Sequence, residues 1–394
     1  MIALREFYDA VIVGGGPAGL ATAIVLGKEN LSVLLIDRRN LPADKPCGEG
    51  LLPPGLEILH DLGVNIPEHM CHPIRGIRYI SGNIQAQAEF KEGSGRGIRR
   101  TVLSAALLAR ANEFENVQIL SPARAEFPSG LDHFDGTVRI SQNNSSAICR
   151  TNLIIGADGL HSEIRRLAKL ERPGRAKTRF GLRKHFQSNH TLDDFVTVFV
   201  DKGSEAYLTP VGQDSFGVAI LFSRNEDTRS GKEEAFEALR NRFPGLVPLT
   251  QTSAGEQGGA GPLEQRTTGV ARDGVILVGD AAGYLDAATG EGISLALATA
   301  QSTARLAQML RKSNKPLNRL QLSGYEKKDH HRITWNYFVM TKMLLFMSDH
   351  PTLARPFIRI MAVRPRSFQA LLSFNMGEPL FPVLRRFIAG LFRK

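Results

Sequence analysis

The chain has 394 residues, 42% of them hydrophobic and 22% charged, with a formal net charge of +10, so it reads as a globular protein able to bury an extended core in two or three interlocked units. Cys47, Cys71 and Cys149 are too few and too scattered for a disulfide framework, no CxxC pair points to zinc, and no apolar run approaches the roughly 20 residues needed to span a bilayer. The basic excess comes without a nucleic-acid motif or an aromatic–basic array, so neither a metal nor a nucleic-acid partner is expected.

Residues 1–9 enter a strand directly and lack the basic region and apolar stretch of a signal peptide, which predicts a cytoplasmic protein. The apolar run 9–13 leads into Gly14-Gly15-Gly16-Pro17-Ala18-Gly19, a helical stretch over 20–26 and a second apolar run over 31–37. This is a βαβ unit, the start of a doubly wound parallel sheet. Gly14 permits the tight turn, Gly16 lets backbone approach a pyrophosphate, and Gly19 allows helix and strand to pack closely. The helix starts at Pro17 and Ala18, and its first-turn N–H groups, Pro17 having none, face the phosphates. Asp37 ends the second strand, 18 residues after Gly19, and is placed to accept hydrogen bonds from a ribose, with Arg38 beside it as a further cofactor-binding candidate. Taken alone, the same residues also suit a plain strand–helix turn with a solvated charge.

The stretch 74–90 alternates as strands do, and the glycines from Gly93 to Gly97 release the chain into a helix from about Arg99 to Ala111. Apolar runs at 151–155 and 274–278 read as further strands of the first sheet. Between them, Arg179 to Arg224 alternates as an antiparallel sheet would. The pattern predicts a cofactor domain over 1–73, 97–175 and 263–316, an inserted β-sheet substrate domain over 74–96 and 176–262, and a helical region over 317–394. Substrate specificity is expected in the inserted sheet. No second GxGxxG follows a strand, which argues against a permanent nicotinamide domain.

The segment from Ala157-Asp158-Gly159 to Arg165 resembles the DGxxSxxR segment of flavoprotein aromatic hydroxylases, and Gly279-Asp280-Ala281-Ala282-Gly283 resembles their second FAD-binding segment. With Gly14–Gly19 these occur in that family's order and spacing over about residues 8–305. The wider family includes monooxygenases, halogenases and geranylgeranyl reductases. The resemblance implies a Rossmann-like α/β FAD-binding fold with an inserted, mainly antiparallel β domain and a helical C-terminal region. It also implies FAD as cofactor, NAD(P)H as transient reductant and a hydrophobic small-molecule substrate. Carried over residue by residue, it assigns Asp280 to the ribityl chain, Asp158 to the pyrophosphate side and Arg100 to cofactor contact, with helix-cap and solvated-residue readings open for the last two. Gly290, Gly292 and Ile293 would sit at the flavin's pyrimidine edge, where a helix N-terminus stabilises negative charge.

Lys45-Pro46-Cys47-Gly48-Glu49-Gly50-Leu51 resembles a segment of geranylgeranyl reductases that approaches the flavin. It makes Cys47 and Gly48 cofactor-site candidates and Cys47 and Glu49 catalytic candidates; a small buried cysteine and an unburied glutamate are the alternatives. Glu205 to Gly212 matches those reductases' aromatic strand in style, but Leu208 and Thr209 stand where bulky aromatics are expected. Trp335, the sole tryptophan, lies outside any tryptophan-halogenase signature. The expected reaction is therefore NAD(P)H-driven hydroxylation of an aromatic or polyketide-like molecule, with oxygen added at flavin C4a to give the hydroperoxide. The alternatives are flavin-dependent C=C reduction of an isoprenoid or related lipid, halogenation, and a non-catalytic flavoprotein.

Residues 350–394 carry eight Arg or Lys against one acid, Glu378. Phe381, Val383, Leu384, Phe387, Ile388, Leu391 and Phe392 recur at helical spacing, with Arg385, Arg386 and Arg393 on a flank. The pattern suits either a peripheral membrane contact or a helix packed on the cofactor domain.

Overall fold

The strands Ala10–Val13, Val33–Ile36, Ile154–Gly156 and Val275–Leu277 are short, apolar and rich in β-branched residues, the composition a parallel sheet needs when helices cover both faces. In the computed structural model they form one sheet in the order Ala271–Arg272, Val275–Leu277, Ile154–Gly156, Ala10–Val13, Val33–Ile36, Val117–Leu120. All neighbours are parallel except the first pair. The structure describes residues 3–173, 179–201, 203–223, 232–255 and 257–392; Arg224, Arg393 and Lys394 lie outside them.

Helix α1 (Pro17–Lys28) crosses from the first strand to the second and is buried over nearly its whole length. Then come α2 (Pro53–Leu62), α3 (Arg100–Asn112), the short α4 (Glu163–Leu167) and α5 (Lys232–Arg240). Helix α6 (Gly292–Gln301) tightens into a 3₁₀ segment, Ser302–Leu306, before α7 (Ala307–Lys312). α8 (Arg319–Gly324) starts with a full capping box from Asn318 and Gln321.

The substrate sheet has eight strands. Its order is Thr252–Ser253, Arg179–Gln187, Ser215–Ser223, Ser204–Pro210, Phe195–Asp201, Gly76–Ser81 and Ile84–Glu89, with Gly258–Ala260 also pairing onto Arg179–Gln187. Every pairing is antiparallel except Phe195–Asp201 with Gly76–Ser81, where the two distant parts of the chain meet. One face carries Leu182, Phe186, Ala206, Leu208 and Val218 against α5, forming a core of its own.

The glycines expected to release the chain into α3 instead begin a strand, Gly95–Ile98, paired with both Cys71–Ile74 and Gly50–Leu51. Gly97 has to be glycine there, since a Cβ would lie 1.6 Å from the Pro210 carbonyl oxygen. The run expected at 151–155 breaks at Asn152, whose side chain donates to the Ser313 carbonyl. Residues before the break belong to a separate four-stranded sheet that also takes in Phe7–Tyr8.

Beyond Leu317 the chain is helical, as expected. α9 (His331–Asp349), α10 (Pro351–Val363), α11 (Pro365–Asn375) and α12 (Leu380–Phe392) follow with connections of a few residues. α10 and α11 pack on the strand Ile84–Glu89 of the substrate sheet, burying Ile358, Met361, Phe368 and Leu372 with Ala86 and Ala88. α12 lies on α11, where Gly390 permits contact close enough that a Cβ would meet Ser367 Oγ at 2.5 Å. It is therefore held by its helical neighbours, not by the cofactor domain.

Candidate cofactor and substrate site

The three motifs are more than a hundred residues apart in sequence and meet at the carboxyl ends of three adjacent parallel strands, where open α/β sheets bind ligands. Gly14, at φ +113°, lies so close to the second motif that a Cβ would sit 2.3 Å from the Ala157 carbonyl oxygen. Gly19 is equally constrained, a Cβ falling 1.8 Å from the Gly14 oxygen. Gly279, at φ +57°, comes within 2.8 Å of the Ala18 methyl when a Cβ is placed on it, so the third motif closes on the helix of the first.

Gly16 is different. Its backbone is ordinary, and a Cβ would find nothing nearer than Arg100 Nη2 at 3.9 Å. Gly48 and Gly290 have no neighbour within 4 Å of a Cβ position, and Gly292 only Tyr284 at 3.6 Å. These glycines keep a groove open, whereas Gly14 and Gly19 serve the packing of the protein itself.

Into this groove project Lys45, Arg100 and Asp280. Burial lowers the pKa of Lys45 and of Arg100, with Asp280 opposing it in both cases. Burial raises that of Asp280, with Lys45, Arg100 and Arg165 opposing. Arg100 Nη1 is buried and has no hydrogen-bond partner among the described residues. A buried guanidinium N–H without an acceptor is costly, and an anionic oxygen is the group that best satisfies it. The open glycines, the helix start at Pro17 and the orphaned Arg100 nitrogen together fit a dinucleotide pyrophosphate. The second helix start, at Gly292, offers free backbone N–H groups next to Tyr284, on the side where a flavin ring is expected.

The other expected residues fall as follows. Asp37 accepts from the Gly15 N–H at 2.7 Å and the Arg39 N–H at 2.8 Å, so it ties the glycine turn to the second strand as well as facing the groove. Arg38 is exposed, and it is Arg39 whose side chain turns to Asp37. Asp158 takes the helix-cap alternative: its oxygens accept from the Ser162 hydroxyl and from the Glu163 and Ile164 N–H groups at the start of α4. Ile293 is buried in the main core. Cys47 is half-buried and receives the Glu49 N–H at 3.3 Å; burial raises its thiol pKa, with Arg100 opposing.

Glu49 is only 1% exposed, at φ +60°. One oxygen accepts from the Arg100 N–H at 2.8 Å; the other lies 2.5 Å from His185 Nε2. Arg183 donates to the His185 ring at 3.0 Å and to Asp44 at 2.8 Å, which links the network to the surface. The Cys47–Glu49 loop is thus pinned to the substrate sheet by a buried acid–imidazole–guanidinium chain.

Sequence reading gave no role to four participants, although Arg165 closes the second motif. Arg165 is almost wholly buried and donates to the Ala281 carbonyl at 3.2 Å, to the Leu160 carbonyl at 2.9 Å and to Gln265 at 2.7 Å, so it fastens the second motif to the third. Arg179, Arg183 and His185 share one face of their strand, while Leu182, Lys184 and Phe186 share the other. That alternation was a usable signal: polar groups at i, i+4 and i+6 opposite an aromatic face mark a buried polar site.

A narrow apolar cavity of about 90 Å³ opens between the substrate sheet and the C-terminal helices. Each of three helices gives it a stripe at i, i+3, i+4 and i+7: Met340 to Met347 on α9, Ala354 to Met361 on α10, and Phe368 to Asn375 on α11. Seven residues of helix extend about 10 Å, which sets the length of the apolar wall. At the inner end stand Tyr79, Glu205 and Thr289, the last adjacent to Gly290 of the second helix start. The Tyr207 hydroxyl lies within hydrogen-bond reach of both Glu205, at 3.0 Å, and the Ala288 carbonyl, at 2.9 Å, and Arg179 pairs with both Glu205 and Asp286. Leu208 faces α5, away from this site, whereas Thr209 shares the strand face of Glu205 and Tyr207 and brings no aromatic ring to it.

The FAD binding domain family matches residues 8–332. Among curated proteins, the chain is 27% identical over 337 residues to a menaquinone reductase of Mycobacterium tuberculosis, covering 77% of this chain and 78% of that one. It is 28% identical over 315 residues to digeranylgeranylglycerophospholipid reductase 1 of Methanococcoides burtonii, covering 75% and 72%. Among solved structures, a flavoprotein/dehydrogenase from Cytophaga hutchinsonii superposes with a TM-score of 0.80 at 19% identity, covering 94% and 93%. A probable FAD-dependent monooxygenase from Pseudomonas aeruginosa superposes at 0.71 with 19% identity, covering 87% and 97%. At such identities the structural matches show the fold alone.

Proposed function

The chain belongs to the FAD binding domain family, and from that premise we propose that it is an FAD-dependent reductase saturating a C=C bond of an apolar, isoprenoid-type lipid. The observation that carries this reading is the apolar cavity, walled by three helical stripes and ending at the residue next to Gly290. Such a cavity suits an extended hydrocarbon chain better than a compact aromatic ring. The curated relatives named above are a menaquinone reductase and a digeranylgeranylglycerophospholipid reductase, which favours reduction over the hydroxylation expected from the resemblance to aromatic hydroxylases.

FAD, when bound, supplies the two-electron chemistry. Lys45, Arg100 and the α1 start hold its pyrophosphate, Asp280 its ribityl chain, and the α6 start its ring edge. The apolar stripes align the lipid and exclude water. Tyr79 sits at the inner end with its hydroxyl pKa pushed up, first by burial and then by Glu205, so it keeps its proton near neutral pH. It is the group placed to hold a proton beside the reacting end of the chain. NAD(P)H, admitted transiently, is the proposed electron source.

The test is anaerobic turnover. Protein reduced by NADH or NADPH and given a polyprenyl lipid in detergent is expected to yield product two hydrogens heavier, without oxygen uptake. Oxygen consumed in step with a hydroxylated product would overturn the reading and restore the monooxygenase.

A further inference from the structure

A terminal helix that only completes a core turns its polar side to water. α12 does not. Its inner face, Val383, Phe387 and Leu391, packs on its helical neighbours, while Phe381, Leu384, Ile388 and Phe392, at i, i+3, i+7 and i+11, point outward. Phe381 and Phe392 are each 83% exposed. α10 repeats the arrangement: Phe357, Ile358 and Met361 line the cavity, and Leu353, Ile360 and Val363 are exposed on the other side. Of the sixteen large apolar side chains exposed among the described residues, eleven lie within 335–392, a concentration that scattered surface apolars do not produce.

The charge on these helices has one sign. Neither α10 nor α12 contains an acid. Arg355, Arg359 and Arg385 are exposed, and none of them has an ion-pair partner among the described residues. Arg386 is committed to Glu378. Apolar side chains flanked by unpaired arginines are complementary to the acyl–headgroup boundary of an anionic bilayer, where the rings and aliphatic chains enter and the guanidinium groups meet phosphate. No described helix is long and apolar enough to cross a membrane, so the contact is peripheral.

We propose that the outward faces of α10 and α12 form a docking surface for anionic phospholipid membranes. The surface follows from exposure and charge alone. Its second consequence rests on the reductase reading: α10 is a wall one helix thick, with cavity on one side and bilayer on the other, so a lipid chain passes between the two without crossing water.

The experiment uses the full chain with bound FAD and vesicles of phosphatidylcholine, with or without phosphatidylglycerol. Binding is expected to the anionic vesicles only, to fall at least tenfold between 50 mM and 500 mM salt, and to fall at least tenfold again in Phe381→Asp/Phe392→Asp. Both positions are largely exposed, so that variant should keep its flavin and melting temperature. Arg355→Glu/Arg359→Glu, with the aromatics intact, should weaken binding to anionic vesicles as well. Full-length protein that ignores anionic vesicles at low salt overturns the proposal. So does a dimer that Phe381→Asp/Phe392→Asp dissociates while vesicle binding is absent, since the occupant is then a second copy. The two readings fail separately: vesicle binding without lipid reduction sinks the reductase, and reduction of detergent-dispersed lipid without vesicle binding sinks the docking surface.

Discussion

Replacing Gly16 by valine separates what the glycine turn does for the protein from what it does for the cofactor. The backbone at Gly16 has φ −77° and ψ −177°, an extended conformation valine adopts readily, and the nearest obstacle to a Cβ is one flexible guanidinium nitrogen at 3.9 Å. The stability of the cofactor-free protein should therefore change by no more than about 0.5 kcal/mol, the range of a substitution that touches nothing. With FAD present the branched side chain occupies the pyrophosphate's place. Overpacking costs about 1–3 kcal/mol, and losing one charge-assisted hydrogen bond about 1.5–3 kcal/mol. Together these predict a loss of FAD affinity of roughly two to four orders of magnitude, at a tenfold change for every 1.4 kcal/mol. Gly19→Val is the contrasting control, since its Cβ would meet the Gly14 oxygen at 1.8 Å and the fold itself should fail. Flavin fluorescence titration gives the affinities and thermal melts of stripped protein give the stabilities. Gly16→Val protein that purifies yellow with a full complement of flavin would refute the placement of the pyrophosphate.

Asp280→Ala removes the one carboxylate shared by Lys45 and Arg100, and the variant should emerge largely flavin-free, as read by its absorbance ratio at 450 and 280 nm, while Asp61→Ala stays yellow. Glu49→Ala leaves the buried His185 ring and the Arg100 N–H without their carboxylate partner, Arg183 keeping Asp44, and should cost about 1–3 kcal/mol in chemical denaturation; an unchanged midpoint would mean that the network does not hold the loop. For Asp286, burial against Glu205, with Arg179 opposing, raises the carboxyl pKa to about 6. The folded state then holds this proton more tightly than the unfolded chain, so stability contributed by the protonated form is lost as pH rises from about 4 through 6. Relative to Asp286→Asn, which has no proton to lose, the wild type should therefore lose stability across that window; a flat difference would remove Asp286 as the cause. Met343→Trp fills the cavity between α9 and α10 and should raise KM for long polyprenyl lipids at least tenfold while leaving flavin reduction by NAD(P)H unchanged.

The cofactor half of the molecule was legible because its constraints are local. A glycine that must avoid a carbonyl, a helix that must start beside a phosphate and an acid that must end a strand each leave a mark within a few residues, and Gly14, Gly19 and Asp37 could be placed from those marks, whereas Asp280 was assigned only by resemblance. The substrate half was less so. Stripes such as Met340–Met343–Leu344–Met347 have the spacing of any core helix, and nothing in a 3.6-residue period tells the wall of a cavity from a packed interior. The strand Ser204–Pro210 shows the same limit, because Leu208 and Tyr207 differ in which face they occupy and only the paired neighbours decide that. Glu49 was singled out, but its partner His185 is 136 residues away and no local pattern joins them.

The convergence of the three glycine-containing segments also bears on how the protein is made. The groove draws on Gly16, on Arg100 some eighty residues later, and on Asp280 with the α6 start far beyond both. No shorter stretch contains it. Synthesis must therefore run through Gly292 before the groove exists, and until residues 275–277 emerge the parallel sheet is missing Val275–Leu277, which flanks Ile154–Gly156. The nascent chain carries an unfinished apolar edge until that three-residue strand arrives to extend the sheet, and Asp280 and the α6 start, which follow it directly, then complete the groove.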